Sequence, residues 1–201
     1  MTDLINPYTV IKLTEKIIIY PQQIGSNLIN HVRNNLVEAF EKKCNNVGYV
    51  MQIYKIASCD GGGINMQNFN GEVVYCVSFF AKLCTPIVGK QIVCVCTTIT
   101  KGMIIVENGP INCVIINKNI SNVKFDIDSD FRIKYLDEDN KSVHLKQTDM
   151  VKVTITGMMF NRGDSSIVVT GFLDDIASPS EVGKFYKDLY ESTDELPELF
   201  I

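Results

Sequence analysis

The stretch from Gln91 to Ile116, QIVCVCTTITKGMIIVENGPINCVII, leaves the chain few choices. Three runs rich in β-branched residues are separated by Lys101-Gly102 and by Asn108-Gly109. Asn-Gly is the strongest short hairpin signal, because both central residues of a type I′ turn need positive φ. Three strands that meander in this way are antiparallel neighbours and make half of a small barrel. Immediately upstream, the apolar run FFAKLC stops before Pro86, and Gly89-Lys90 opens the new system. Two strand systems therefore meet within a few residues.

The first system reads as α+β. Residues 8–20 (YTVIKLTEKIIIY) form a strand that Pro21 ends. Ile24, Leu28, Val32, Leu36 and Phe40 then recur every four residues, the apolar stripe of a helix, with Ser26 as its N-cap and Lys42-Lys43 in its last turn. Residues 47–57 form a second strand and 72–83 a third. Between them lies SCDGGGINMQNFNGE. It lacks the GxxxxGK[ST] phosphate-loop pattern and no helical pattern follows it, so it reads as a flexible exposed loop that orders against a partner. One helix on an antiparallel sheet makes a compact unit over residues 1–86.

The second system is all-β. FRIKYL, the acidic turn DEDN and SVHLK follow the meander, and MVKVTITGMMF and SSIVVTGFL close it around residues 161–164. This unit spans 87–177. The tail, 178–201, opens with Ser178-Pro179 and Glu181, a capping box. Val182, Phe185, Tyr186 and Leu189 give it a short amphipathic helix, to be seated on its own barrel or on a neighbouring subunit.

Charge and cysteine usage narrow the function. The net charge of −4 argues against a nucleic-acid protein driven by overall charge, so RNA binding would need a local basic patch. Seven cysteines without a CxxC pair read as buried free thiols of a reducing compartment, not as a disulfide framework or a zinc site. Asp126, Asp128 and Asp130 alternate as in a calcium loop but lack its central glycine, and the carboxylates at 137–139 read as a solvated turn. No metal and no cofactor are expected. His31 and His144 have no nucleophile beside them in sequence, so no catalytic residues are assigned and the chain is expected not to be an enzyme. MTDLINPYTV has neither a basic n-region nor an apolar core, and no run is long enough to span a bilayer. An intracellular protein without membrane contact is expected.

Several short motifs, in this order, resemble the stalk subunit family of multi-subunit DNA-dependent RNA polymerases, which includes the seventh subunit of polymerase II and the archaeal E subunit. They are Tyr20-Pro21 followed by Gly25, then Gly48-Tyr49-Val50, then residues 77–83 (VSFFAKL) with Pro86 and Gly89, and the turns at Lys101-Gly102-Met103 and Asn108-Gly109-Pro110. The resemblance covers residues 8–175. It implies an N-terminal ribonucleoprotein-like domain followed by an S1-type barrel of the OB class, and a non-catalytic role. The implied partners are the large subunits of the polymerase core, a fourth-subunit-like stalk partner and single-stranded nascent RNA.

On that reading the docking residues are Pro21, Ile24, Gly25, Gly61, Gly62, Gly63 and Ile64, on two loops at one end of the sheet. RNA would meet Lys90, Lys101, Met103, Lys118, Phe160 and Arg162, through phosphate contacts and stacking. Weak, salt-sensitive RNA binding is expected, with partner docking as the main task. The Ile-, Asn- and Lys-rich composition suggests an AT-rich source such as a large DNA virus, which would place the protein in nucleus, cytoplasm, virion or viral factory. The alternative is a free-standing S1-type RNA-binding protein of translation or RNA decay.

Overall fold

The computed structural model describes residues 3–64, 70–128, 132–136 and 141–190. Its N-terminal part is a three-stranded antiparallel sheet in the order β1-β3-β2, built from β1 (Tyr8–Ile19), β2 (Tyr49–Ile64) and β3 (Val73–Cys84). β1 pairs with β3 without a break, from Tyr8 opposite Cys84 to Ile19 opposite Val73. The helix α1 (Leu28–Phe40) covers one face of this sheet. Val32, Leu36 and Phe40 are its buried stripe, packed in one cluster with Ile17, Ile19, Phe79 and Leu83. Phe40 and Phe79 meet at 6.4 Å between ring centroids.

β2 is more irregular than its sequence suggests. Its register against β3 shifts at four points, after Val50, Ile53, Ile56 and Gly61. Each bulge adds a residue and restores the inward side chain three positions on instead of two. Val50, Ile53, Ile56 and Cys59 therefore share one face of a strand at a spacing of three. The last bulge involves the three glycines. They belong to β2 and not to the exposed loop read from sequence, and Gly61 and Gly62 have φ of 101° and 126°. Such values are readily adopted only by glycine. The connecting loop is thereby shortened, and its residues 65–69 lie outside the described residues.

The helix also begins later than its stripe suggests. Residues Pro21–Gln23 form a 3-10 turn, and Asn27, not Ser26, is the N-cap of α1, without a side-chain bond. The Tyr20 N–H donates to Gln23 Oε1 (3.1 Å), and Asn35 Nδ2 donates to the Ile18 carbonyl (3.0 Å). These bonds hold the turn against the middle of α1 and leave Ile24 outside the helix. At the other end α1 stops at Phe40, so Lys42 and Lys43 follow its last turn instead of lying in it, and Lys43 Nζ reaches back to donate to the Glu38 carbonyl (2.7 Å).

After Gly89, whose φ is 82°, the chain builds a barrel. β4 (Gln91–Ile99), β5 (Met103–Asn108) and β6 (Ile111–Ile116) are the predicted meander. Next comes a small sheet of β7 (Phe125–Ile127), β8 (Ile133–Leu136) and β9 (Ser142–His144). β10 (Met150–Met159) and β11 (Ile167–Ile176) then close the cylinder in the order β10-β11-β6-β5-β4. β11 runs parallel to β6, and every other barrel pair is antiparallel. This arrangement fits a small OB-like barrel. FRIKYL and SVHLK, read with the barrel strands, supply the separate sheet instead, and Phe125, Ile133 and Leu145 join it to the barrel's hydrophobic cluster. The turn at 137–140 lies outside the described residues.

Alternation fills the barrel. Ile92, Cys94 and Cys96 are buried on β4, Ile111, Cys113 and Ile115 on β6, and Val151, Val153 and Ile155 on β10. Gly171 occupies an inward position where a Cβ would lie 2.4 Å from Val153 Cγ1 and 2.6 Å from Cys113 Sγ. The interior is thus packed to the limit with small side chains, which accounts for much of the cysteine content. All seven cysteines are free, and burial pushes the Cys96 thiol up to about 11 and Cys113 up to about 12. Protonated thiols of this kind are core filler, not nucleophiles.

The sheet and the barrel abut. The Ile5 N–H donates to the Gln91 carbonyl (2.9 Å), Cys44 N–H to Asp164 (2.8 Å) and Gly163 N–H to Cys44 (2.8 Å). Between them the Tyr8 hydroxyl donates to Asn108 Oδ1 (2.5 Å), and Asn108 Nδ2 donates to the Val93 carbonyl (2.7 Å). The helix α2 (Pro179–Tyr190) sits across this joint on its own chain, with Phe185 buried. The Glu181 half of its capping box is formed, the Ser178 N–H donating to Glu181 Oε2 (2.7 Å), while the Ser178 hydroxyl donates to the same oxygen (2.8 Å). Buried Lys82 donates to the Asp188 and Leu189 carbonyls (2.9 and 3.1 Å) and lies over the Tyr8 ring. That charge satisfies the carbonyls left without partners at the helix end.

Candidate functional site

Two exposed surfaces lie at the far ends of the molecule. The first is at the end of the sheet remote from the barrel. Ile19, Val73 and Ile64 are register partners there, so the ends of β1 and β2 flank the start of β3. Pro21 approaches Gly71, whose missing Cβ would lie 3.2 Å from the proline ring. The two loops singled out in the sequence are thus brought together. Pro21, Gly25, Gly61, Gly62 and Gly63 are exposed beside Ile24 (49% exposed) and Ile64 (69%).

The sequence reading missed Ile18 and Tyr20, which are exposed on the same tip. The signal was the unbroken run Ile17-Ile18-Ile19-Tyr20. A strand turns successive side chains to opposite faces, so a continuous apolar run there must leave some uncovered unless both faces are packed. Clustered isoleucines in water mark an interaction surface more strongly than scattered ones.

The second surface is the outer end of the barrel. Lys101 lies in the β4–β5 turn, and Met103 is paired across to Ile116, both partly in water. Asn117 Nδ2 donates to the Lys101 carbonyl (2.8 Å), which ties the Lys118 turn to the Lys101 turn. A groove beside them is lined by Ile99, Lys101, Arg132, Ile133, His144 and Leu145. Arg132 and His144 are exposed additions that the sequence reading left unassigned. Their signal was weak, because they come from the small sheet and meet the β4–β5 turn only in three dimensions.

The other three residues assigned to RNA lie elsewhere. Lys90 Nζ pairs with Asp3 Oδ2 (2.8 Å), holding that carboxyl below its ordinary range. Phe160 packs half-buried against the barrel's hydrophobic cluster. Arg162 reaches Glu15 (3.5 Å) and lies over the Phe40 ring, in the joint with the sheet. The cause is topological. β11 is parallel to β6, so the β10–β11 turn falls at the Ile111 end of the barrel, opposite Lys101.

Of the carboxylates weighed for calcium, Asp126 is exposed on β7 and Asp128 is engaged. Lys134 Nζ donates to Asp128 Oδ2 (2.6 Å), and Asp130 and residues 137–139 lie outside the described residues. Among the described residues no three His, Cys, Asp or Glu side chains are grouped to hold a metal ion. No described helix is long and apolar enough to cross a membrane.

No family model matches the chain. A protein of Acanthamoeba polyphaga mimivirus, which carries the provisional name of DNA-directed RNA polymerase subunit, is 30% identical to it over 181 residues. The match covers 90% of this chain and 89% of the viral protein. The chain belongs to this family of viral RNA polymerase subunits. In this polymerase subunit, then, an apolar tip and a basic barrel end are held at opposite extremes by a joint of buried hydrogen bonds. Such an arrangement can grip one macromolecule at the tip and present the other end to a second.

Proposed function

We propose that the chain is the stalk subunit of its DNA-dependent RNA polymerase, a non-catalytic part that docks on the core enzyme and holds a barrel away from it. On this reading residues 1–86 are a ribonucleoprotein-like docking domain, 87–177 an S1-type barrel and 178–201 an appended tail. The observation that supports it is the exposed apolar tip formed by Pro21, Ile24, Gly25, residues 61–63 and Ile64 in a chain of polymerase-subunit kinship. The large subunits cover the tip, and a fourth-subunit-like partner packs along the flank.

Affinity purification of the tagged protein from its native source tests this directly. Large polymerase subunits are expected in stoichiometric amounts. Recovery of the chain without them, or with ribosomes or nucleases, would leave the free-standing RNA-binding reading in its place.

The barrel end is assigned to passing single-stranded RNA, with Lys101 and Lys118 on phosphates and Met103 and Ile116 as an apolar platform. Arg162, Phe160 and Lys90 fall outside this surface because of their positions in the joint, the core and the Asp3 pair. Lys101→Glu with Lys118→Glu is expected to lower oligonucleotide affinity and reduce the slope of log K against log salt by roughly 1.4, about 0.7 for each phosphate no longer neutralised. Fluorescence anisotropy at several salt concentrations measures it. An unchanged slope removes these lysines from the site.

A further inference from the structure

The sheet has a second face, turned away from α1, of which the Lys82 end meets α2 and most is left open. Cross-strand partners share a face in an antiparallel pair, so the register gives its occupants. Lys12, Phe80 and Lys55 lie in one row, and Lys16 and Asp60 flank Cys76 two rows along. Lys12, Lys16 and Lys55 are exposed, and none has a carboxylate partner among the described residues. Asp60 is the single acidic side chain in these rows. A protein with net charge −4 thus carries a local positive face of unpaired lysines around a half-buried aromatic ring.

The place where α2 ends bears on what covers this face. Lys82 occupies the same face of β3, and it is Lys82 that holds the Asp188 and Leu189 carbonyls. A groove of Val10, Lys82, Lys187 and Asp188 leads from the helix end onto β1. The chain continues from Tyr190 as ESTDELPELFI, with Glu191, Asp194, Glu195 and Glu198 and no Lys or Arg. Eleven residues reach at most about 36 Å at ~3.3 Å each. The face runs eight residues from Lys82 to Val74, about 27 Å at the rise of a strand. The segment starts at one edge of the lysine face, carries the complementary charge and has the length to cross it.

We propose that residues 191–201 are the intramolecular ligand of this face, their carboxylates serving Lys12, Lys16 and Lys55. The acidic segment then shields the sheet from phosphate backbones and leaves nucleic acid to the barrel end. The inference stands independently of the stalk reading, because it concerns one chain with itself.

Carbodiimide cross-linking of the full-length protein, which joins carboxylates to amines without a spacer, tests it. An equal mixture of 14N- and 15N-labelled copies separates links within a chain from links between chains. Within-chain links from Glu191, Asp194, Glu195 or Glu198 to Lys12, Lys16 or Lys55 are expected at low salt, fading towards 1 M salt, where the screening length is about 3 Å. In the full-length E191Q/D194N/E195Q/E198Q protein, acetylation of the three lysines should quicken about threefold, the scale of a lost surface ion pair, with Lys118 unchanged. Links found only between 14N and 15N copies would make a second molecule the occupant and overturn the proposal. So would equal lysine reactivity in the two proteins.

Discussion

Replacing Ile24 and Ile64 together with aspartate is expected to abolish retention of the large polymerase subunits while leaving the protein folded. Ile24 is 49% and Ile64 69% exposed, so their removal leaves the core intact, and surface changes of this kind stay within about 0.5 kcal/mol of stability. In a complex the same side chains would be desolvated. Burying an isoleucine contributes about 1.5–3 kcal/mol, so losing two, with a charge brought into each pocket, predicts roughly a 100-fold or greater loss of affinity. Pull-down of the large subunits beside a thermal melt separates the two effects. Undiminished pull-down with an unchanged melt would show that the tip is not the docking surface.

Asn108→Ala is expected to be the costliest single change at the joint. The side chain is 2% exposed and has both ends engaged, accepting from Tyr8 and donating to the Val93 carbonyl. Truncation strands two buried polar groups at about 1–3 kcal/mol each, so a loss of roughly 2–4 kcal/mol follows, allowing for the second bond of the Tyr8 hydroxyl, to the Asn108 carbonyl (3.2 Å). Urea denaturation measures it. Tyr8→Phe, which keeps the ring under Lys82 and removes only the hydroxyl, should cost less than Asn108→Ala. A loss below about 0.5 kcal/mol for Asn108→Ala would mean that water replaces both bonds, and that the angle between sheet and barrel is held elsewhere.

On the proposed reading the two substitutions bear on function together, since the first would remove the grip and the second loosen the arm. Kinship with a viral polymerase subunit says which machine the fold serves. The tip and the barrel end are the parts through which it would act.

Much of this architecture was legible from local signals. Turn chemistry at Lys101-Gly102, alternation along β4 and the Glu181 half of the capping box before α2 each depend on neighbours a few residues away, and each is found as read. The second hairpin differs: Asn108 ends β5 opposite Ile111, so Gly109-Pro110 make the turn, with positive φ at Gly109 and not at Asn108, because the Asn108 side chain is held in the joint by Tyr8 and Val93. The stripe of α1 was legible for Val32, Leu36 and Phe40, whereas Ile24 lies outside the helix because Pro21–Gln23 and Asn35 build a turn there.

The sequence by itself determined most of the strands, both helices and the place where the two strand systems meet. Those outcomes follow from backbone stereochemistry and from the need to hide every second or every fourth side chain. Only the tertiary structure decided that Gly61 and Gly62 lie in a bulged strand, that FRIKYL leaves the barrel, and that Arg162 serves the joint while Arg132 and His144 flank Lys101. Those depend on the parallel pairing of β11 with β6 and on packing between residues far apart in the chain, which no local pattern encodes.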